Sequence, residues 1–161
     1  MGSHLTRRGR PALAAVLVLA VGIGAAATAA ASGPGAHASR RALHVNDSAS
    51  LHLTRKSGNV LHEAGRALGS LPGSVTATLN ISHITRVTGT VTFHSGAGSI
   101  TMAAVGYPSS TGTIVPFSGN VAVRSGTGRY RAALGSGRFS GSVSRRTWAV
   151  RIRSVVATVT Y

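Results

Sequence analysis

The sequence predicts an all-β protein: a small, closed antiparallel β-barrel of about eight strands, preceded by an N-terminal signal helix. Three observations predict it. Beyond residue 50, apolar and polar residues alternate in run after run; turn formers separate the runs at short intervals; and glycines recur inside the runs. Alternation with a period of two marks a strand with one buried face. Closely spaced turn formers join neighbouring antiparallel strands. Glycine within a strand marks a bend or a close approach of backbones. Such bends suit closure, which removes the exposed edges that an open sheet presents.

Residues 1–38 read as an export signal. Arg7, Arg8 and Arg10 precede an apolar run from Ala12 to Ala31, and small residues end it at Ala36-His37-Ala38. A charged start, an apolar centre and a small-residue cleavage site are the order of a signal peptide. Cleavage is expected after Ala38, giving a protein secreted or associated with the cell envelope. The other reading is an uncleaved anchor, because about 20 apolar residues can span a bilayer. Residues 39–49 carry Arg40, Arg41 and Asp47 without a clear period and read as a flexible basic arm. Residues 50–161 form the barrel domain.

Within that domain, residues 60–69 (VLHEAGRALG) are ambiguous. Gly65 and Gly69 weaken a helix, so the stretch reads as a strand with a bulge. Val75, Ala77, Leu79 and Ile81 then alternate with threonine, asparagine and serine, and Val87, Gly89, Val91 and Phe93 repeat the pattern. Ile100, Met102 and Ala104 follow, then Phe117, Gly119, Val121 and Val123. Trp148, Val150 and Ile152 face away from Arg151 and Arg153, and Val155, Ala157 and Val159 close the chain.

Composition excludes several chemistries. With no cysteine, there is no disulfide, thiol nucleophile or cysteine metal site. Asp47 and Glu63 are the only acids, and they are isolated, so paired-carboxylate hydrolysis is not expected. His44, His52, His62, His83 and His94 contain no close His-x-His or His-x3-His pair, so no metal or cofactor is expected. Beyond residue 38 the chain holds 14 basic residues against those two acids, a net charge of about +12. Such a charge favours anionic partners, including envelope polymers and lipid headgroups.

The stretch GTGRYRAALGSGRF at residues 126–139 repeats a Gly-x-Gly-Arg-aromatic phrase. It lacks the third glycine of a dinucleotide fingerprint, since residue 131 is arginine. Strand parity turns Tyr130 and Phe139 inward and Arg129, Arg131 and Arg138 outward. A platform for single-stranded nucleic acid needs aromatics exposed beside the cations, so nucleic acid is disfavoured. The glycines then serve bends between strands. Candidate cavity or rim residues are Tyr107, Tyr130, Phe139, Trp148 and His83, the last sharing the parity of Ile81. Candidate anion contacts are Arg129, Arg131, Arg138, Arg145, Arg146, Arg151 and Arg153.

The stretch GTGRYRAALGSGRFSGSV, with ALGSLPGSVTATLNI and VTGTVTFHSGAGSI before it, resembles the allene oxide cyclase/dirigent-type β-barrel superfamily, and most closely its small secreted bacterial members. The resemblance covers roughly residues 50–160 and is carried chiefly by Gly126 to Gly141. It implies an eight-stranded antiparallel barrel with a central cavity, and a homo-oligomer as in plant relatives. Those relatives guide ring closure or radical coupling of apolar substrates, and dirigent-type sites use acidic cavity residues. No residue here matches a transferable functional motif. Three readings stand at this point. One is a non-catalytic binding or structural barrel with room for a small apolar ligand. The others are a cationic protein that binds anionic envelope polymers, lipids or nucleic acid, and a cyclase-like or isomerase-like enzyme by family analogy alone.

Overall fold

The computed structural model describes residues 40–83 and 85–161. The signal segment, its cleavage point and Ser39 lie outside the described residues, as does Ile84. Eight strands make up the fold: β1 (Ala42–Ser57), β2 (Val60–Gly69), β3 (Gly73–His83), β4 (Arg86–Ser95), β5 (Gly98–Pro108), β6 (Ile114–Gly126), β7 (Leu134–Ser144) and β8 (Val150–Thr160). Each pairs antiparallel with the next, and β1 pairs with β8 to close the barrel. One turn of 3-10 helix, Gly128–Tyr130, interrupts the β6–β7 connection.

The alternation of the sequence becomes the two faces of the wall. Val45, Leu51, Leu61, Val75, Ile100, Met102, Val155 and Val159 point in and are buried. Because successive strands reverse direction, the loops collect at two ends. One end gathers the β2–β3, β4–β5 and β6–β7 connections and is plugged by buried Leu71, Tyr130 and Ala133. Tyr161 packs edge-on against Tyr130 with ring centroids 5.2 Å apart. Asp47 fastens the plug: the Leu71 N–H donates to its two carboxylate oxygens at 3.1 and 3.2 Å. The opposite end gathers the β1–β2, β3–β4, β5–β6 and β7–β8 connections.

Three details differ from the sequence reading. Residues 42–49, expected to belong to a flexible arm, form the first half of β1, with Ala42 to Asp47 in register with Thr160 to Val155 of β8. Its inward positions are Val45, Asp47 and Ala49; the acid between two small apolar residues hides the period. The stretch 60–69 is a strand, but the register shift beside it falls on β1 between Leu53 and Arg55. Tyr130 turns inward from the 3-10 turn rather than from a strand, and Gly128 enters that turn with φ 57°.

Candidate functional site

The plug fills one end of the barrel, and an apolar cavity of about 120 Å³ lies in the remainder. The space exists because small inward residues, Ala77, Ala104, Gly89 and Gly106 among them, alternate with larger walls such as Leu61 and Val91. Two aromatic–glycine pairs shape one side. Phe139 stands opposite Gly119, and Phe117 opposite Gly141, on the paired strands β6 and β7. The two rings meet at 5.8 Å between centroids, tilted by 60°. Neither glycine could carry a side chain beside these rings: a Cβ on Gly119 would lie 2.8 Å from Phe139 and one on Gly141 2.9 Å from Phe117.

Trp148 also lines the cavity, reaching it from the β7–β8 connection. Its backbone takes φ 58°, a conformation that costs a bulky residue energy and is seen mainly where the surroundings enforce it. Lys56 places its Nζ 4.7 Å from the centroid of the indole, within the range of a cation–π contact. Trp148 is the single tryptophan of the chain.

Glu63 is the exception in this lining. It faces inward from β2, in register with Leu53 of β1 and Ala77 of β3. It is 2 % exposed, and neither carboxyl oxygen has a hydrogen-bond partner among the described residues. Burial pushes its pKa up to about 7, because removal from water penalises the charged form. Among the described residues no second titratable side chain lines the cavity. The site therefore presents an apolar lumen with one carboxyl that can donate when protonated and accept when ionised.

The other acid is held differently. Burial raises the pKa of Asp47 too, but backbone donors at Leu71 and Ser70 work against the rise. Asp47 thus has partners where Glu63 has none, and it belongs to the plug rather than to the cavity.

The predicted site residues separate. Phe139 and Trp148 line the cavity. Tyr130 is buried in the plug. His83 ends β3 opposite Arg86 and is exposed, off the cavity. Tyr107 is 49 % exposed: Met102, Ala104 and Gly106 take the inward parity of β5, so Tyr107 points outward. All seven predicted anion-contacting arginines are exposed, but they do not form one patch. Arg129 and Arg131 lie in the β6–β7 connection at the plugged end, Arg145 and Arg146 in the β7–β8 connection at the other, and Arg138, Arg151 and Arg153 on the wall.

Glu63 was absent from those candidates. The signal that could have found it is parity: Leu61, Glu63 and Ala67 share one face of β2, which puts the carboxyl where only apolar residues normally go. The histidines on the outer wall make ordinary contacts, His62 Nδ1 with Thr78 Oγ1 at 3.3 Å and His94 Nε2 with Thr76 Oγ1 at 3.4 Å. Among the described residues no group of three histidines, cysteines or acids could hold a metal ion. Compared with family models, with curated proteins and with solved structures, the chain matches none.

Proposed function

We propose that this chain is an exported binding barrel of the allene oxide cyclase/dirigent type, which holds one small apolar molecule in its lumen without turning it over. The observation that carries the reading is the cavity itself: about 120 Å³, walled by apolar side chains, with Glu63 as its buried polar group. An apolar ligand gains by leaving water for such a lining. The carboxyl of Glu63 fixes its orientation through one hydrogen bond to a polar group on an otherwise apolar body. Export rests on the charged-then-apolar order of residues 1–38.

The full chain, expressed in an exporting host, is tested by native mass spectrometry for a retained small molecule. Its affinity for benzene, a neutral apolar probe small enough for a cavity of this size, is then followed by Trp148 fluorescence. Binding that disappears when the cavity is filled by Ala77→Phe or Ala104→Leu is the expected result. A probe that binds both variants as well as the parent would place the ligand outside the lumen and end this reading.

The cyclase-like alternative is favoured by the same Glu63, the one carboxyl positioned to move a proton inside the lumen. It predicts conversion of a bound substrate that Glu63→Gln abolishes while binding survives. Unchanged ligand recovered after prolonged incubation supports the carrier.

A further inference from the structure

Both acids of the chain are buried, whereas all 14 basic residues between Arg40 and Arg153 are exposed. The described surface therefore carries positive charge with no exposed carboxylate side chain to balance it. On one part of the wall these charges are organised. Ser50 of β1 is in register with Arg66 of β2 on one side and with Arg151 of β8 on the other, and Arg151 is in register with Ser142 of β7. Four adjacent strands thus give a row of arginine, serine, arginine and serine. Neighbouring strands lie about 4.8 Å apart, so the two arginines start from backbones about 10 Å apart with a small hydroxyl between them.

A register shift extends the row. β8 holds an extra residue relative to both its neighbours between Ile152 and Val155, where Arg153 is exposed. A bulge re-aims the side chain it carries, and Arg153 joins Arg66 and Arg151 in lining one concavity of about 740 Å³ on the outer wall. Ser48, Ser50 and Ser142 line it as well.

We propose that this groove across β7, β8, β1 and β2 binds a linear, base-free anionic polymer with a phosphodiester backbone, its phosphates held by Arg66, Arg151 and Arg153. The proposal stands on the outer wall and is independent of the lumen reading. Guanidinium forks match phosphate oxygens, and the serine hydroxyls beside them add further donors. A thin flexible chain can enter a concavity that a flat bilayer cannot. The groove lining contains no aromatic ring, so it offers no surface on which nucleic-acid bases would stack. A second copy of this chain would bring like charge to like charge.

The test uses the full chain and poly(glycerol phosphate), with affinity measured across a series of salt concentrations. The variant R66Q/R151Q/R153Q is compared with R40Q/R129Q/R131Q, which removes the same charge outside the groove. Loss of three phosphate contacts lowers the slope of log affinity against log salt by about 2 and weakens binding about 100-fold at 0.1 M salt. The control variant is expected to keep its slope. Circular dichroism confirms the fold, and the single variants R66Q and R151Q, each with a smaller loss, replace the triple variant should it misfold. Equal losses in both triple variants would show general charge attraction and overturn the groove. Tighter binding to a single-stranded oligonucleotide of matched charge, or to vesicles containing phosphatidylglycerol, would overturn the polymer class.

Discussion

Glu63 and Asp47 are both 2 % exposed, and the contrast between them is decided by partners. Asp47 receives the Leu71 N–H on both oxygens, so truncation leaves a buried donor unpaired. Asp47→Ala is expected to cost about 1–3 kcal/mol, and Asp47→Asn, which keeps an acceptor, less; urea unfolding measures both. Glu63 has no such bond, and its removal should stabilise. Its folded pKa of about 7 lies above the ordinary 4.5, so between those values the native state keeps a proton that the unfolded chain releases. The contribution is fully present below about 4.5 and is lost as pH rises through about 7. That window corresponds to roughly 3 kcal/mol. Glu63→Met, similar in size and apolar, should therefore gain about 3 kcal/mol more over the parent at pH 8 than at pH 4. Unfolding curves of the ligand-free proteins at both pH values check this, and a gain independent of pH would contradict the buried, protonated carboxyl. The sequence carried half of this contrast. Parity places Glu63 on the apolar face of β2, but whether a buried acid finds a donor depends on a loop 24 residues away, as Leu71 does for Asp47.

At the scale of elements, the paired strands β6 and β7 show how glycine and aromatic positions are coupled. Phe117 lies over Gly141, and Phe139 over Gly119. A methyl group on Gly119 would meet the Val105 carbonyl oxygen at 2.0 Å and Phe139 at 2.8 Å, against backbone on one side and a ring on the other. Gly119→Ala is expected to destabilise by several kcal/mol, in the upper range of about 1–3 kcal/mol or more for overpacking. Combining it with Phe139→Leu should recover only the part due to the ring. A double-mutant cycle in denaturant separates the two; no coupling between the sites would mean that ring and glycine do not meet. These strands were legible because each inward position is apolar or glycine. β1 was less so. Its strand identity shows only once β8 is available to pair with it, and an inward aspartate breaks the alternation that sequence reading relies on. Strand parity places Trp148 inward, yet it stands before β8 begins and reaches the lumen through a left-handed backbone, a conformation that composition does not announce.

For the whole molecule, the burial of both acids has an electrostatic consequence. The 14 exposed cations repel one another across a barrel whose described surface shows no carboxylate side chain. Repulsion of this kind opposes the compact state, and salt relieves it: the Debye length falls from about 30 Å at 0.01 M to about 3 Å at 1 M. Melting temperature is therefore expected to rise as sodium chloride is raised from 0.01 to 0.5 M, since the native barrel concentrates its charge more than the unfolded chain does. A relief of about 1 kcal/mol would appear as roughly 4 °C for a domain of this size. If the groove binds phosphodiester polymer, poly(glycerol phosphate) should raise the melting temperature further at low salt, because a ligand bound to the native state alone stabilises it by mass action. That added rise should vanish at 0.5 M salt and in R66Q/R151Q/R153Q, while the simple salt effect persists in the variant. Calorimetric scans of the two proteins with and without polymer distinguish the two effects. A polymer shift as large in the variant as in the parent would assign the stabilisation to net charge alone.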